Sequence, residues 1–127
     1  MSARRPILST LFACAGLLAP MVVSAHAHLL VASPADHSRG PAPAHIDMSF
    51  SEALLTPVSG AELILTAMPG MSMGPVTVPV KTSFADDAKS MSLIPARPLI
   101  PGSYRVDWHV VSVDTHPRKG SLSFQVQ

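Results

Sequence analysis

Apolar and polar residues alternate with a period of two along four stretches of the chain. Ile46, Met48 and Phe50 are separated by Asp47 and Ser49; Met91 and Leu93 by serine; Tyr104, Val106, Trp108 and Val110 by Arg105, Asp107 and His109; Leu122, Phe124 and Val126 by Ser123 and Gln125. Successive side chains of a strand point to opposite faces, so each stretch predicts a strand with one buried face. Less regular runs at 28–33, 61–66 and 76–82 bring the expected number of strands to about seven. Breakers separate these runs at Pro34, Pro41, Pro43, Pro57, Pro69-Gly70, Gly74-Pro75, Pro95, Pro98, Pro101-Gly102 and Pro117. No helix of ordinary length fits between them, and a single helical turn over 52–55 is the most the pattern allows. About 100 residues of short strands and turns predict an all-β fold, a seven-stranded Greek-key sandwich of immunoglobulin-like type.

The first 25 residues break the pattern. Arg4 and Arg5 precede an almost uninterrupted apolar run from Ile7 to Val23, which ends in Ser24 and Ala25. This is the layout of a secretory signal peptide, and Gly16 and Pro20 within the run argue against a transmembrane anchor. The chain is thus expected to divide into a signal peptide, 1–25, and one exported domain, 26–127, that does not span a membrane. Arg4-Arg5-Pro6 faintly resembles a twin-arginine signal and Leu11 to Cys14 a lipoprotein box; neither is favoured, since the bulky Phe12 is unusual in such a box and the apolar run continues well past Cys14. Cleavage after Ala25 makes His26 the first residue, whereas cleavage after Ala27 makes it His28. Either cut leaves a histidine with a free α-amine.

Composition changes meaning once that segment is set aside. Of 127 residues only Cys14 is cysteine, and it leaves with the signal, so the exported domain has neither disulfides nor thiolate metal sites. Arg4 and Arg5 leave too, and the formal net charge passes from +1 to −1. Neither value gives an electrostatic footprint for nucleic acid. The length excludes a multi-domain enzyme.

Three features carry candidate chemistry. Asp114 and His116, in Ser112-Val113-Asp114-Thr115-His116-Pro117, are spaced so that an extended segment points both side chains the same way. Taken alone, the motif reads first as a turn braced by an Asp–His hydrogen bond; a carboxylate and an imidazole held together also suit a metal. An N-terminal His26 adds a chelating pair, since an α-amine loses its proton on binding metal and acts with the imidazole of the same residue. A solvated terminus is the ordinary state of such a residue, so His26 points to metal only alongside a second feature. Nitrogen and oxygen donors in tetragonal arrangement suit Cu(II).

The third feature is Met68, Met71 and Met73 in a segment of proline, glycine and serine that follows neither strand nor helix period. Thioether sulfur suits Cu(I), and packing filler or an adaptable contact surface fits the same residues equally well. His37, His45 and His109 read as surface residues, and His28 is ambiguous between strand start and ligand. No Ser-His-Asp nucleophile, phosphate loop or Cys/His zinc pattern is present.

Together these residues resemble the CopC-type periplasmic copper-resistance proteins. The resemblance runs through His26-Ala27-His28-Leu29 and Ser33-Pro34-Ala35, Phe50-Ser51-Glu52, Leu65 to Met71, Gly102 to Trp108 and Ser112 to Pro117. It implies a cupredoxin-like or immunoglobulin-like β-sandwich or barrel that binds copper. The implied Cu(II) ligands are the amine and imidazole of His26 with Asp114 and His116; Glu52 matches a carboxylate that is a ligand or near neighbour in parts of the family and ranks below them, as does His28. Spacing to Pro34 favours His26 as the first residue. For Cu(I), Met68 and Met71 match, while Met73 stands where the family has histidine, and Leu65 and Val76 stand where it has methionine, which implies weaker or altered Cu(I) binding.

The expectation is a non-enzymatic copper carrier or buffer of the periplasm. Its implied partners are copper ions and an inner-membrane copper transporter or another periplasmic copper protein. Two alternatives stay open. An N-terminal histidine chelate also resembles the site of copper-dependent polysaccharide monooxygenases, against which stand the small domain and the absence of an aromatic platform. The other alternative is a metal-free adhesion or assembly sandwich.

Overall fold

The structure, a computed structural model, describes residues 27–127 together with Gly16. The expected signal peptide, apart from Gly16, and His26 lie outside the described residues. Among the described residues no helix is long and apolar enough to cross a membrane.

Among the described residues nine strands form two sheets. In chain order they are β1 (Leu29–Ser33), β2 (Ser38–Gly40), β3 (Ile46–Phe50), β4 (Gly60–Ala67), β5 (Val76–Val78), β6 (Val80–Phe84), β7 (Ser90–Pro95), β8 (Gly102–Val111) and β9 (Pro117–Val126). One sheet has the order β1-β3-β7-β6 and the other β2-β9-β8-β4-β5. Every expected span holds a strand, and the two additional strands have local causes. The 76–82 run divides at Pro79: β5 pairs with β4 in one sheet and β6 with β7 in the other, and a residue without an N–H is suited to such a crossing. β2 is three residues long and lies parallel to the end of β9, a pairing that no local periodicity announces. The helical turn falls at Thr56–Val58 rather than 52–55, because Leu54 bridges to Ser112 and the Leu55 amide donates to the Val111 carbonyl.

The alternating residues meet between the sheets. Ile46, Met48, Phe50, Met91 and Leu93 of one sheet face Leu63, Leu65, Tyr104, Val106, Val110, Leu122 and Phe124 of the other, all buried. Phe50 meets Trp108 edge to face at 5.4 Å, and Tyr104 stacks on its cross-strand neighbour Phe124 at 5.4 Å. The Tyr104 hydroxyl donates to the Ile100 carbonyl at 2.7 Å, tying the β7–β8 connection to the start of β8. This is the tyrosine corner of immunoglobulin-like sandwiches, and the strand order agrees with that architecture.

Candidate metal centre

The centre is built at the end of β8, where its alternation of inward residues reaches Ser112. That serine is fully buried. Segment 53–55 holds it from outside the hairpin: Leu54 and Ser112 form an antiparallel bridge, the Val113 amide donates to Ala53, and Leu55 to Val111. The chain then turns back toward β9. The Thr115 amide donates to the Ser112 carbonyl at 2.8 Å, and Thr115 takes a left-handed φ of 69°.

Asp114 and His116 are brought together by this turn, as the reading of the motif as a turn braced by an Asp–His hydrogen bond expects, and not by an extended segment. His116 Nδ1 lies 2.9 Å from Asp114 Oδ2. An ionised carboxylate only accepts hydrogen bonds, so Nδ1 is the donor of this one. A metal-binding histidine is commonly held in this way, its second nitrogen fixed by a carboxylate. The Ser112 hydroxyl donates to the other oxygen, Oδ1. These bonds, that from Ser112 first and those from His116 next, hold the Asp114 carboxyl below its ordinary value. The imidazole is more exposed than the carboxylate, 58% against 27%, so the ring is the part of the pair that reaches furthest into solvent.

The start of β1 is anchored at Ala27, which is wholly inside the core, and at His28, whose amide donates to Ser51 Oγ at 2.8 Å. The ring of His28 is engaged elsewhere: Arg118 Nη2 lies 3.2 Å from its Nδ1. A guanidinium only donates, so this Nδ1 accepts and is the nitrogen closed to a metal. Glu52 is half-buried on the bend after β3. Among the described residues no three His, Cys, Asp or Glu side chains gather closely enough to hold a metal ion, so neither Glu52 nor His28 completes such a group with Asp114 and His116.

The methionine segment joins β4 to β5. The Met71 amide donates to the Met68 carbonyl across a turn with Gly70 at φ 72°, while Met68 and Met73 lean on the core and Met71 is 59% exposed. Two of the three sulfur-bearing side chains therefore pack, as the filler reading of this segment allows, although the segment follows no strand or helix period. β4 runs antiparallel to β8, with Ala67 opposite Ser103 and Gly60 opposite His109. The methionines thus lie at one end of β8 and the Asp114–His116 pair at the other, about 30 Å apart at roughly 3.3 Å per residue.

Ser112 is the residue that the sequence reading passed over as a site residue. The signal was present: continuing the alternation 104, 106, 108, 110 puts a hydroxyl at an inward position next to Asp114, and a buried hydroxyl takes a partner.

Comparison with known proteins places the fold in a family. The family model for the CopC domain matches residues 29–127. Copper resistance protein C of Pseudomonas syringae pv. tomato is 47% identical over 127 residues, all of both chains, and that of Xanthomonas campestris pv. juglandis 48% over the same extent. The crystal structure of PcoC, a copper resistance protein from Escherichia coli, superposes with a TM-score of 0.75 at 44% identity, covering 79% of this chain and 99% of that one. A family model that matches residues 29–127, and relatives 47% and 48% identical along the whole chain, show that this chain belongs to the CopC family.

Proposed function

We propose that this chain is exported to the periplasm, loses residues 1–25, and there buffers or carries copper for copper resistance. Cu(II) is held by the α-amine and imidazole of His26 together with Asp114 and His116, and Cu(I) by Met68, Met71 and Met73. The observation that carries the reading is that the turn after β8 sets the Asp114 carboxylate and the His116 imidazole side by side, with Nδ1 2.9 Å from Oδ2, so that an oxygen and a nitrogen donor stand together. The anchoring of Ala27 in the core supports it as well, because the residue before Ala27 starts from a fixed point. The donor set suits Cu(II): nitrogen and oxygen, with no thiolate. The separation of the two ends of β8 supports two independent copper sites. Copper released from either end would pass to an inner-membrane transporter or another periplasmic copper protein. No catalytic step is assigned.

The test is a Cu(II) titration of protein that begins at His26. Replacing Asp114 and His116 together by alanine is expected to weaken binding at least tenfold, and placing one residue before His26 to weaken it similarly by moving the amine. Parent-like affinity in both would overturn the reading.

A further inference from the structure

We propose that Ser112 is the positioning residue of the copper site, fixing the Asp114–His116 pair to the core. This deepens the proposed Cu(II) reading and rests on it. Asp114 and His116 bond to one another on a turn whose backbone is tied at Val113 and Thr115, but their mutual bond does not by itself fix the carboxylate relative to the core. A connection to something that does not move is needed. Ser112 supplies it, because it is fully buried and its hydroxyl donates to Asp114 Oδ1.

That hydroxyl has one proton to donate. The competing acceptor, the His116 carbonyl, is 3.4 Å away, so Asp114 takes the proton. With Oδ1 held by Ser112, the plane of the carboxylate is set and Oδ2 faces the His116 ring. The side of the ring that faces Asp114 is thereby linked to a group in the core. Ser112 is itself held on its far side, through the bridge to Leu54, a buried residue. The chain of constraint therefore runs from the core through Leu54, Ser112 and Asp114 to His116. Outer partners of this kind change metal affinity by roughly 10–100-fold when removed. A serine that merely braced the turn would affect stability and leave the metal environment alone.

The test uses protein that begins at His26. Ser112→Ala removes one oxygen and leaves the backbone bonds of residue 112 in place, and a thermal melt checks that the fold is kept. The variant is expected to bind Cu(II) about tenfold more weakly and to give an altered Cu(II) electron paramagnetic resonance spectrum. The same substitution in an Asp114→Ala, His116→Ala background is expected to change neither. Parent-like affinity and spectrum in Ser112→Ala would overturn the proposal, as would an equal loss in the background lacking the pair. The failure of the underlying site is distinguishable: there the Asp114→Ala, His116→Ala protein itself binds Cu(II) as tightly as the parent.

Discussion

The indole of Trp108 lies across Gly120, its partner in the β8–β9 ladder, so closely that a β-carbon at 120 would stand 2.6 Å from the ring atom Cε2. On the other side of Trp108 in the sheet is Ala61, and across the core is Phe50. A large ring is thus housed between two small neighbours. Gly120→Ala is expected to destabilise the domain by about 1–3 kcal/mol, the usual cost of overpacking. At roughly 4–8 °C per kcal/mol, the loss is plain in a thermal melt, accompanied by a changed tryptophan emission from the chain's single tryptophan. Unchanged melting would mean that the ring has room to move.

Tyr104 gives a pH-dependent prediction. Burial raises its phenol above the ordinary value of about 10, and the bond to Ile100 offsets only part of that. A raised value in the folded state means that the unfolded chain loses the proton first. The contribution to stability is whole below about pH 10 and is lost as pH rises through the folded value. Tyr104→Phe removes one hydrogen bond, worth about 0.5–1.5 kcal/mol, and is expected to melt lower at neutral pH. Melting of the parent is expected to fall more steeply than that of the variant above pH 10. As the only tyrosine, its ionisation is followed directly by ultraviolet absorbance.

Asp114 behaves in the opposite sense. Its lowered value, caused first by Ser112 and then by His116, means that it favours the folded state above the ordinary carboxylate pKa of about 3.9. That contribution disappears as pH falls through the lower folded value. Carboxyl carbon resonances in metal-free protein are expected to show Asp114 titrating below 3.9, with the midpoint moving up in Ser112→Ala. A midpoint at the ordinary value in both proteins would remove the hydroxyl as its cause.

The methionines separate by environment. Met48 and Met91 are wholly buried, whereas Met71 is exposed and Met68 and Met73 are half-buried. Replacing Met71 by leucine is expected to weaken Cu(I) binding severalfold in a chelator competition, and the same change at Met91 to leave it within twofold. Cu(II) affinity should be the same in both variants, because the methionine turn stands at the other end of β8. Loss of Cu(II) binding in Met71→Leu would contradict two independent sites.

Legibility in the sequence followed the physics of each feature. Period-two alternation marked β3, β7, β8 and β9 because each buries one face only, and the residues it singled out are the core. β2 was invisible, since three residues of Ser-Arg-Gly have no periodicity and exist as a strand only because β9 lies beside them. The Asp114–His116 pair was legible both as residue types in order and as a turn braced by their hydrogen bond, while the bond from Ser112 and the left-handed φ at Thr115 were not read from the sequence.

What the sequence determined by itself was which side chains go inside, where strands end, and which donors are on hand: histidine, aspartate and methionine in a domain without thiols. Tertiary structure decided how they are held. It divided one apolar run between two sheets at Pro79, packed Met68 and Met73 against the core, turned His28 toward Arg118, and set Ser112 beneath Asp114. Side-chain patterning acts through local geometry and burial, which a linear chain displays. The partners of a turn, a ring nitrogen or a buried hydroxyl are fixed only when distant strands meet.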